Sequence, residues 1–370
     1  MIDQTFHCLA LTLVPGLGRS RILRLLRRFE QPEHILRMSR AELEQLNLSF
    51  EVQAFIASGC ALQAAEEALR TAQEKGWRIL SPFETDYPSL LREIFDPPAI
   101  LYCLGDVELL SRPAVSIVGS RRSSVYGRQL THRMARELAG RGLVIVSGLA
   151  RGIDSVAHQG CLEANGKTVA VLGNGLDVVY PKQNRKLYRQ IACQGCLTSE
   201  FPAGHYPAPQ NFPIRNRIIS GLSFGTLVTE GAEFSGSLIT ARSALRQNRE
   251  VWALPGNVTS KGSFGPNLLI RQGAHPVSDY KDLIEDLPPY VREILDDPPQ
   301  ESSAAPEEGD LSEGEAAVLK LLSSDASLPF DRIAQDSGLS ASELNQILFS
   351  LEMRDLVDQA PGRQFNRKLH

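Results

Sequence analysis

Several short stretches in the middle of this 370-residue sequence set glycines and hydroxyls beside arginines, the residue types that hold phosphate. Gly119, Ser120 and Arg121 follow the apolar run Ala114–Val118 and precede a helix-like segment. Glycine lets the backbone turn and approach an anion closely. The helix start offers unpaired amides at the positive end of its dipole. A guanidinium can grip phosphate through two parallel hydrogen bonds. Ser147, Gly148 and Arg151 repeat the pattern after Leu143–Val146. Arg215, Asn216 and Arg217 lie in an otherwise apolar segment, where an unpaired guanidinium would be costly. Their available partners are a phosphate backbone or a nearby carboxylate such as Glu200 or Glu230. Ser235, Gly236 and Ser237, with Thr240 one turn on, form an amide nest with added hydroxyls. Lys261 and Phe264 sit in a glycine-rich loop. Phe264 is placed either to stack on a base or to fold back into the core.

One such turn is an ordinary strand-to-helix connection. Several at adjacent strand ends make an anion-binding rim, because ligands of open α/β sheets gather there. The spacing is not Gly-x-Gly-x-x-Gly, so no dinucleotide or other cofactor is indicated. Three further patterns look chemical and are read as structural. Cys161 to Thr168 nearly matches a phosphate-binding loop, but it runs helix–loop–strand, so Lys167 is read as a surface residue. Asp154 and His158 share a helix face without a third ligand. Cys193 and Cys196 form an isolated pair with no adjacent histidine, so zinc is not expected. One enzyme alternative stays open. Gly225-Thr226-Leu-Val-Thr229-Glu230 is similar to the signature of nucleotide phosphoribohydrolases in which a Gly-Thr pair precedes a glutamate, where Glu230 would act at the ribose.

The elements that must position these residues are legible from periodicity. Residues 1–75 read as helical, with Leu9, Leu11, Leu13, Ile22, Leu25, Leu26 and Phe29 near helical spacing. Pro15 to Gly18 breaks that run into a helix–turn–helix pair. The turn is similar to a helix-hairpin-helix, or is simply a tight connection. Over 76–287, apolar runs at Ala114–Val118, Leu143–Val146, Thr168–Leu172, Thr226–Val228 and Val251–Leu254 alternate with helical segments. That alternation predicts a doubly wound, extended Rossmann-like parallel sheet. Residues 288–312 are acidic and proline-rich and read as a linker. Residues 313–370 have the helix, helix, helix, wing order of a winged helix.

Net charge is −4, which alone argues against nucleic acid. Its distribution reverses that. Residues 119–275 hold 19 Lys/Arg against 8 Asp/Glu, a surplus of 11, so the remainder carries −15. Segregation of this kind makes a basic face on an acidic protein. The winged helix lies on the acidic side. From Leu311 to Gly362 it holds three Lys/Arg and nine Asp/Glu, which suits a protein contact better than a DNA groove. No secretory signal or membrane-spanning run is evident, and six unevenly spaced cysteines are no disulfide framework, so the cytoplasm is the expected compartment.

Taken as an ordered set, the motifs resemble those of the DprA/Smf family. They are Gly119-Ser-Arg; Ser147-Gly-Leu-Ala-Arg-Gly-Ile-Asp154 with His158; Leu172-Gly-Asn-Gly-Leu-Asp-Val-Val-Tyr-Pro181 with Asn184; Arg215-Asn-Arg-Ile-Ile-Ser-Gly-Leu-Ser223; Ser235-Gly-Ser-Leu-Ile-Thr-Ala241; Pro255-Gly256; and Leu269-Ile-Arg-Gln-Gly-Ala274. Ile214 departs from a family position where arginine is common, and Gly231 from one where alanine is commoner. The resemblance implies an N-terminal all-α unit of the SAM or helix-hairpin-helix kind and a C-terminal winged helix. It also implies a homodimer that binds single-stranded DNA and loads a RecA-type recombinase during natural transformation. Gly119, Ser120 and Arg121 match the family's phosphate-contacting turn, Lys182 falls in a region of basic DNA contacts, and Arg215 and Arg217 extend the path. No catalytic residue is carried over, so the resemblance does not imply an enzyme.

Overall fold

The computed structural model describes residues 2–295, 311–323, 327–354, 356–360 and 362–368. Six helices come first: α1 (Ile2–Thr12), α2 (Arg19–Arg28), α3 (Pro32–Leu36), α4 (Arg40–Glu44), α5 (Phe50–Ala57) and α6 (Cys60–Glu74). The break between α1 and α2 falls at the expected glycine turn, where Gly16 takes a φ of +78°. These helices do not close a core of their own. Leu9, Leu11 and Val52 belong to one buried cluster with Leu149, Ala170, Leu172 and Leu197 of the following α/β unit.

The strands are β1 (Arg78–Leu80), β2 (Leu101–Gly105), β3 (Ala114–Val118), β4 (Val144–Ser147), β5 (Thr168–Leu172), β6 (Cys196–Ser199), β7 (Gly225–Val228), β8 (Glu250–Ala253) and β9 (His275–Pro276). Between them run α7 (Ser89–Arg92), α8 (Val125–Gly140), α9 (Ile153–Glu163), α10 (Arg185–Gln194), α11 (Asn211–Gly221), α12 (Gly236–Arg246) and α13 (Phe264–Arg271). Then come α14 (Tyr280–Asp286) and α15 (Pro289–Arg292). Among the described residues the strands form one sheet in the order β1-β2-β6-β5-β4-β3-β7-β8-β9. β6 through β9 are parallel. The doubly wound, Rossmann-like reading holds, with one addition. β1 and β2 extend the sheet as antiparallel strands. β1 and β2 were missed because neither is followed by the helical crossover that marks a parallel strand, and the short parallel strands β6 and β9 were missed with them.

Alternation along the strands feeds two cores besides the cluster shared with the helices. Val144, Val146, Val169 and Val171 face α11 and α12. Val115, Ile117 and Ile145 face α8 and α9. The chain steps outward from β3 to β6 and returns with β7 to the free edge of β3. That reversal opens a crevice beyond the carboxyl ends of the strands.

The acidic segment after 287 is not a linker from its first residue. α15 buries Val291 in the same core as Leu283 and Leu287. The prolines at 298, 299 and 306 lie outside the described residues. The last unit has α16 (Glu313–Leu321), β10 (Leu328–Pro329), α17 (Phe330–Ser337), α18 (Ala341–Met353), β11 (Val357–Ala360) and β12 (Gln364–Arg367). It is a winged helix with its own core of Val318, Phe330, Ile333, Leu344 and Phe365.

The turns after β3 and β4 touch through Gly152. Its φ is +75° and ψ −129°, and a Cβ there would lie 2.2 Å from the Ser120 carbonyl oxygen. Ile153 N donates to that same oxygen at 3.2 Å. Gly152→Ala is therefore expected to cost about 3 kcal/mol of unfolding free energy. Urea denaturation checks this; an unchanged midpoint would contradict the contact.

Candidate nucleic-acid interface

Two adjoining hollows occupy the crevice. The first, about 260 Å³, is lined by Arg121 and Arg122 after β3, Gly148, Ala150 and Arg151 after β4, Leu172 to Asn174 after β5, and Tyr180, Pro181 and Phe212. The second, about 90 Å³, shares Arg121, Ala150 and Phe212 and adds Gly119, Asp154, Arg215, Asn216, Gly236, Ser237 and Thr240. The turns after β3 and β4, the start of α12 and Arg215 with Asn216 thus converge as expected.

Arg121, Arg122 and Arg151 are exposed. Arg121 lies over the Phe212 ring, 5.0 Å from its centre, and that ring packs at 5.7 Å against Tyr180. Cation and rings form a surface able to bind phosphate and stack an unpaired base together. Sequence reasoning missed Tyr180, Phe212 and Arg122 as site residues. The signal was an aromatic before proline in both Tyr180-Pro181 and Phe212-Pro213.

Arg215 forms the floor. It is 3% exposed, and its Nη1 donates to the Val171 carbonyl at 2.6 Å. The guanidinium occupies the space above Gly148, where a Cβ would fall 1.7 Å from Nη1. Burial lowers its pKa to about 10, opposed by Asp154, so it stays charged at neutral pH. Burial also raises the Asp154 carboxyl, against the fields of Arg215 and the Ala150 and Gly148 amides. The Ser-Gly-Ser turn is ordered as expected: Ser235 Oγ accepts from Ser237 N at 3.3 Å, and nothing crowds Gly236. Asn216 Nδ2 donates to the Gly236 carbonyl at 3.3 Å, which leaves it a tie between α11 and α12. Ser120 Oγ accepts from Arg122 N at 3.1 Å and shapes the first turn.

Four expected residues stand elsewhere or do other work. Arg217 does not reach the crevice: its Nε donates to Asp96 at 3.0 Å and its Nη2 to Glu200 at 2.7 Å, so it is an internal ion-pair centre. Ser147 is fully buried and donates to the Ile117 carbonyl at 2.6 Å, joining β4 to β3. Lys261 and Phe264 belong to a loop docked on Gly231, whose N donates to the Gly262 carbonyl at 2.7 Å. They line neither hollow, although Phe264 is 44% exposed and not folded into the core. Lys182 is exposed beside Pro181, at the margin of the first hollow.

The start of α8 is not free for phosphate. Ser124 caps it, accepting from Gly127 N at 2.9 Å. Glu230 then takes Ser124 N at 2.9 Å and Ser124 Oγ at 2.5 Å. Glu230 is 7% exposed and serves as the internal anion of that helix end. His158 is fully buried, and burial pushes its pKa down to about 3, so the ring is neutral. Its Nδ1 lies 2.6 Å from Thr168 Oγ1, which itself donates to the Ile145 carbonyl. Lys167 Nζ reaches only the Gln194 carbonyl, at the surface. Among the described residues no group of three His, Cys, Asp or Glu could hold a metal ion, and no helix is long and apolar enough to cross a membrane.

A Rossmann-like sheet with an arginine- and aromatic-lined crevice at its switch point, followed by a winged helix, defines a doubly wound α/β protein with its candidate site at the strand ends. The chain belongs to the DNA recombination-mediator protein A family, the DprA/Smf family: that family's profile matches residues 78–288, and the profile of the DprA winged helix domain matches 301–363. It is similar to Protein Smf of Escherichia coli, with 38% identity over 301 residues covering 81% of this chain and 80% of that protein. DNA processing protein DprA of Bacillus subtilis is 42% identical over 221 residues, covering 60% and 74%. The X-ray structure of DNA processing protein A from Streptococcus pneumoniae superposes with a TM-score of 0.68 at 34% identity, covering 77% of this chain and 98% of that one. The protein from Helicobacter pylori, whose structure is described as giving insight into a unique single-stranded DNA binding mode, has a TM-score of 0.52 at 34% identity, covering 56% and 94%.

The Arg217 assignment separates stability from binding. Arg217→Met leaves Asp96 and Glu200 without their shared cation and is expected to cost about 3–5 kcal/mol. Affinity per folded molecule for a short oligonucleotide that spans only the crevice should stay within error. A variant of full stability with weakened binding would return Arg217 to the binding surface.

Proposed function

We propose that this protein binds single-stranded DNA along the crevice at the carboxyl ends of β3, β4 and β5, and that it serves DNA processing during natural transformation. The carrying observation is the convergence of exposed Arg121, Arg122 and Arg151 on the Phe212–Tyr180 pair in one hollow. Phosphates meet the guanidinium groups and the open amides of Gly119 and Gly236, while bases stack on the rings. Stacking is worth about 1–3 kcal/mol per base and needs no particular sequence. A duplex keeps its bases stacked on each other, so the rings favour an unpaired strand. The single-strand binding named for the Helicobacter pylori relative supports this reading.

The remaining expectations join it as one proposal. The protein acts in the cytoplasm as a homodimer and hands the strand to a RecA-type recombinase, with no catalytic step of its own. Phe234 and Leu245, exposed just before and on α12, supply apolar surface that dimerisation would bury. Glu230, the residue of the phosphoribohydrolase alternative, is taken up in capping α8, which favours the binding role.

Arg121→Ala combined with Arg151→Ala should weaken binding to an oligothymidylate at least tenfold at moderate salt. The slope of log affinity against log salt should fall by about 1.4, as for two lost phosphate contacts on a single strand. Fluorescence anisotropy across a salt series measures both, and wild-type affinity in the double variant would refute the path.

A further inference from the structure

Helix α2 carries Arg19, Arg21, Arg24, Arg27 and Arg28 and no acid in ten residues. Its apolar side is used up, with Ile22, Leu23 and Leu25 buried. Arg19 turns onto Asp96 at 3.3 Å. The other four are exposed, and among the described residues none has a carboxylate within ion-pair distance. Like charges three and four apart on a helix repel. Arg27 donates to the Phe95 carbonyl and lies over the Phe95 ring, and Arg28 lies over Phe29, so packing accounts for Arg27 while Arg21 and Arg24 are left at the surface.

Arg21 and Arg24 border a cleft of about 840 Å³ whose floor includes Leu17, Ile100, Phe201 and Ile214. Its one lining acid is Glu200, already held by Arg217. This cleft adjoins the first hollow. α11 places Phe212 in the hollow and Ile214 in the cleft. Gly175 N, next to Asn174 of the hollow, donates at 2.9 Å to the carbonyl of His205 in the cleft. The loop between them displays Tyr206, 77% exposed.

We propose that the single-strand track continues past the sheet: from Arg121 and Tyr180 it passes Tyr206 and runs onto the arginine stripe Arg21, Arg24 and Arg28 of α2. The proposal rests on the crevice reading above and adds the N-terminal helical unit to the binding surface. The ligand is a phosphodiester chain and not an isolated phosphate, because these arginines spread over about 10 Å of helix and do not converge on one point. The apolar floor and Tyr206 suit bases.

The test compares Arg21→Gln/Arg24→Gln/Arg28→Gln with wild type on a short and a long labelled oligothymidylate, of about 6 and about 30 nucleotides. The long strand should bind about tenfold more weakly, with its salt slope lowered by about 2, and the short strand should be nearly unaffected. The matching Lys triple variant should recover most of the loss, which separates charge from folding, and thermal melting checks that both are intact. If the Gln variant binds the long strand as wild type does while Arg121→Ala/Arg151→Ala weakens both lengths, the crevice stands and the extension is overturned. Equal losses of the Gln variant on both lengths also overturn it. If Arg121→Ala/Arg151→Ala weakens neither length, the crevice reading fails and the extension falls with it.

Discussion

A buried guanidinium holds the crevice in shape. Arg215 reaches from α11 beneath the turn after β4, donates to the Val171 carbonyl at the end of β5, and fills the space that a side chain at position 148 would need. A lone buried charge costs several kcal/mol. Asp154, in the first turn of α9, supplies the opposing field. The pair therefore ties α9, α11, β4 and β5 to one point. Arg215 is committed to the Val171 carbonyl, and the exposed guanidinium groups of the crevice, Arg121, Arg122 and Arg151, are the ones placed to meet a ligand.

Arginines thus divide into two kinds. Arg215 and Arg217 are two residues apart on one helix, and both are buried. One looks into the crevice and the other centres an ion network of Asp96 and Glu200, with Arg19 of α2 on the same Asp96 oxygen. That network also fastens the helical unit to the α/β unit, in line with their shared apolar cluster. The N-terminal helices are accordingly held in a fixed place beside the strand ends.

Much of this was legible from the chain alone. Continuous Val and Ile runs ending in glycine located β3, β4 and β5, because a strand buried on both faces tolerates little else, and the glycine turns located the crevice. What was not legible depended on contacts far apart in sequence. Nothing local to Arg217 shows that Asp96, 121 residues earlier, meets it. Nothing local to Glu230 shows that it caps a helix begun at Val125. Phe212 and Tyr180 each stand before a proline in separate stretches of the sequence, and only the fold sets their rings together. In the winged helix, α18 exposes Phe349 and Met353, with no cation until its C-cap Arg354, so its outer face is unlike the arginine-lined crevice.

The central claim is that unpaired strands are bound through charge and stacking together. Competition between single- and double-stranded oligonucleotides of equal length, followed by anisotropy over a salt series, tests it most directly. The single strand should bind more tightly at every salt concentration, with log affinity falling linearly and steeply as log salt rises. Equal affinity for the duplex, or binding indifferent to salt, would contradict it.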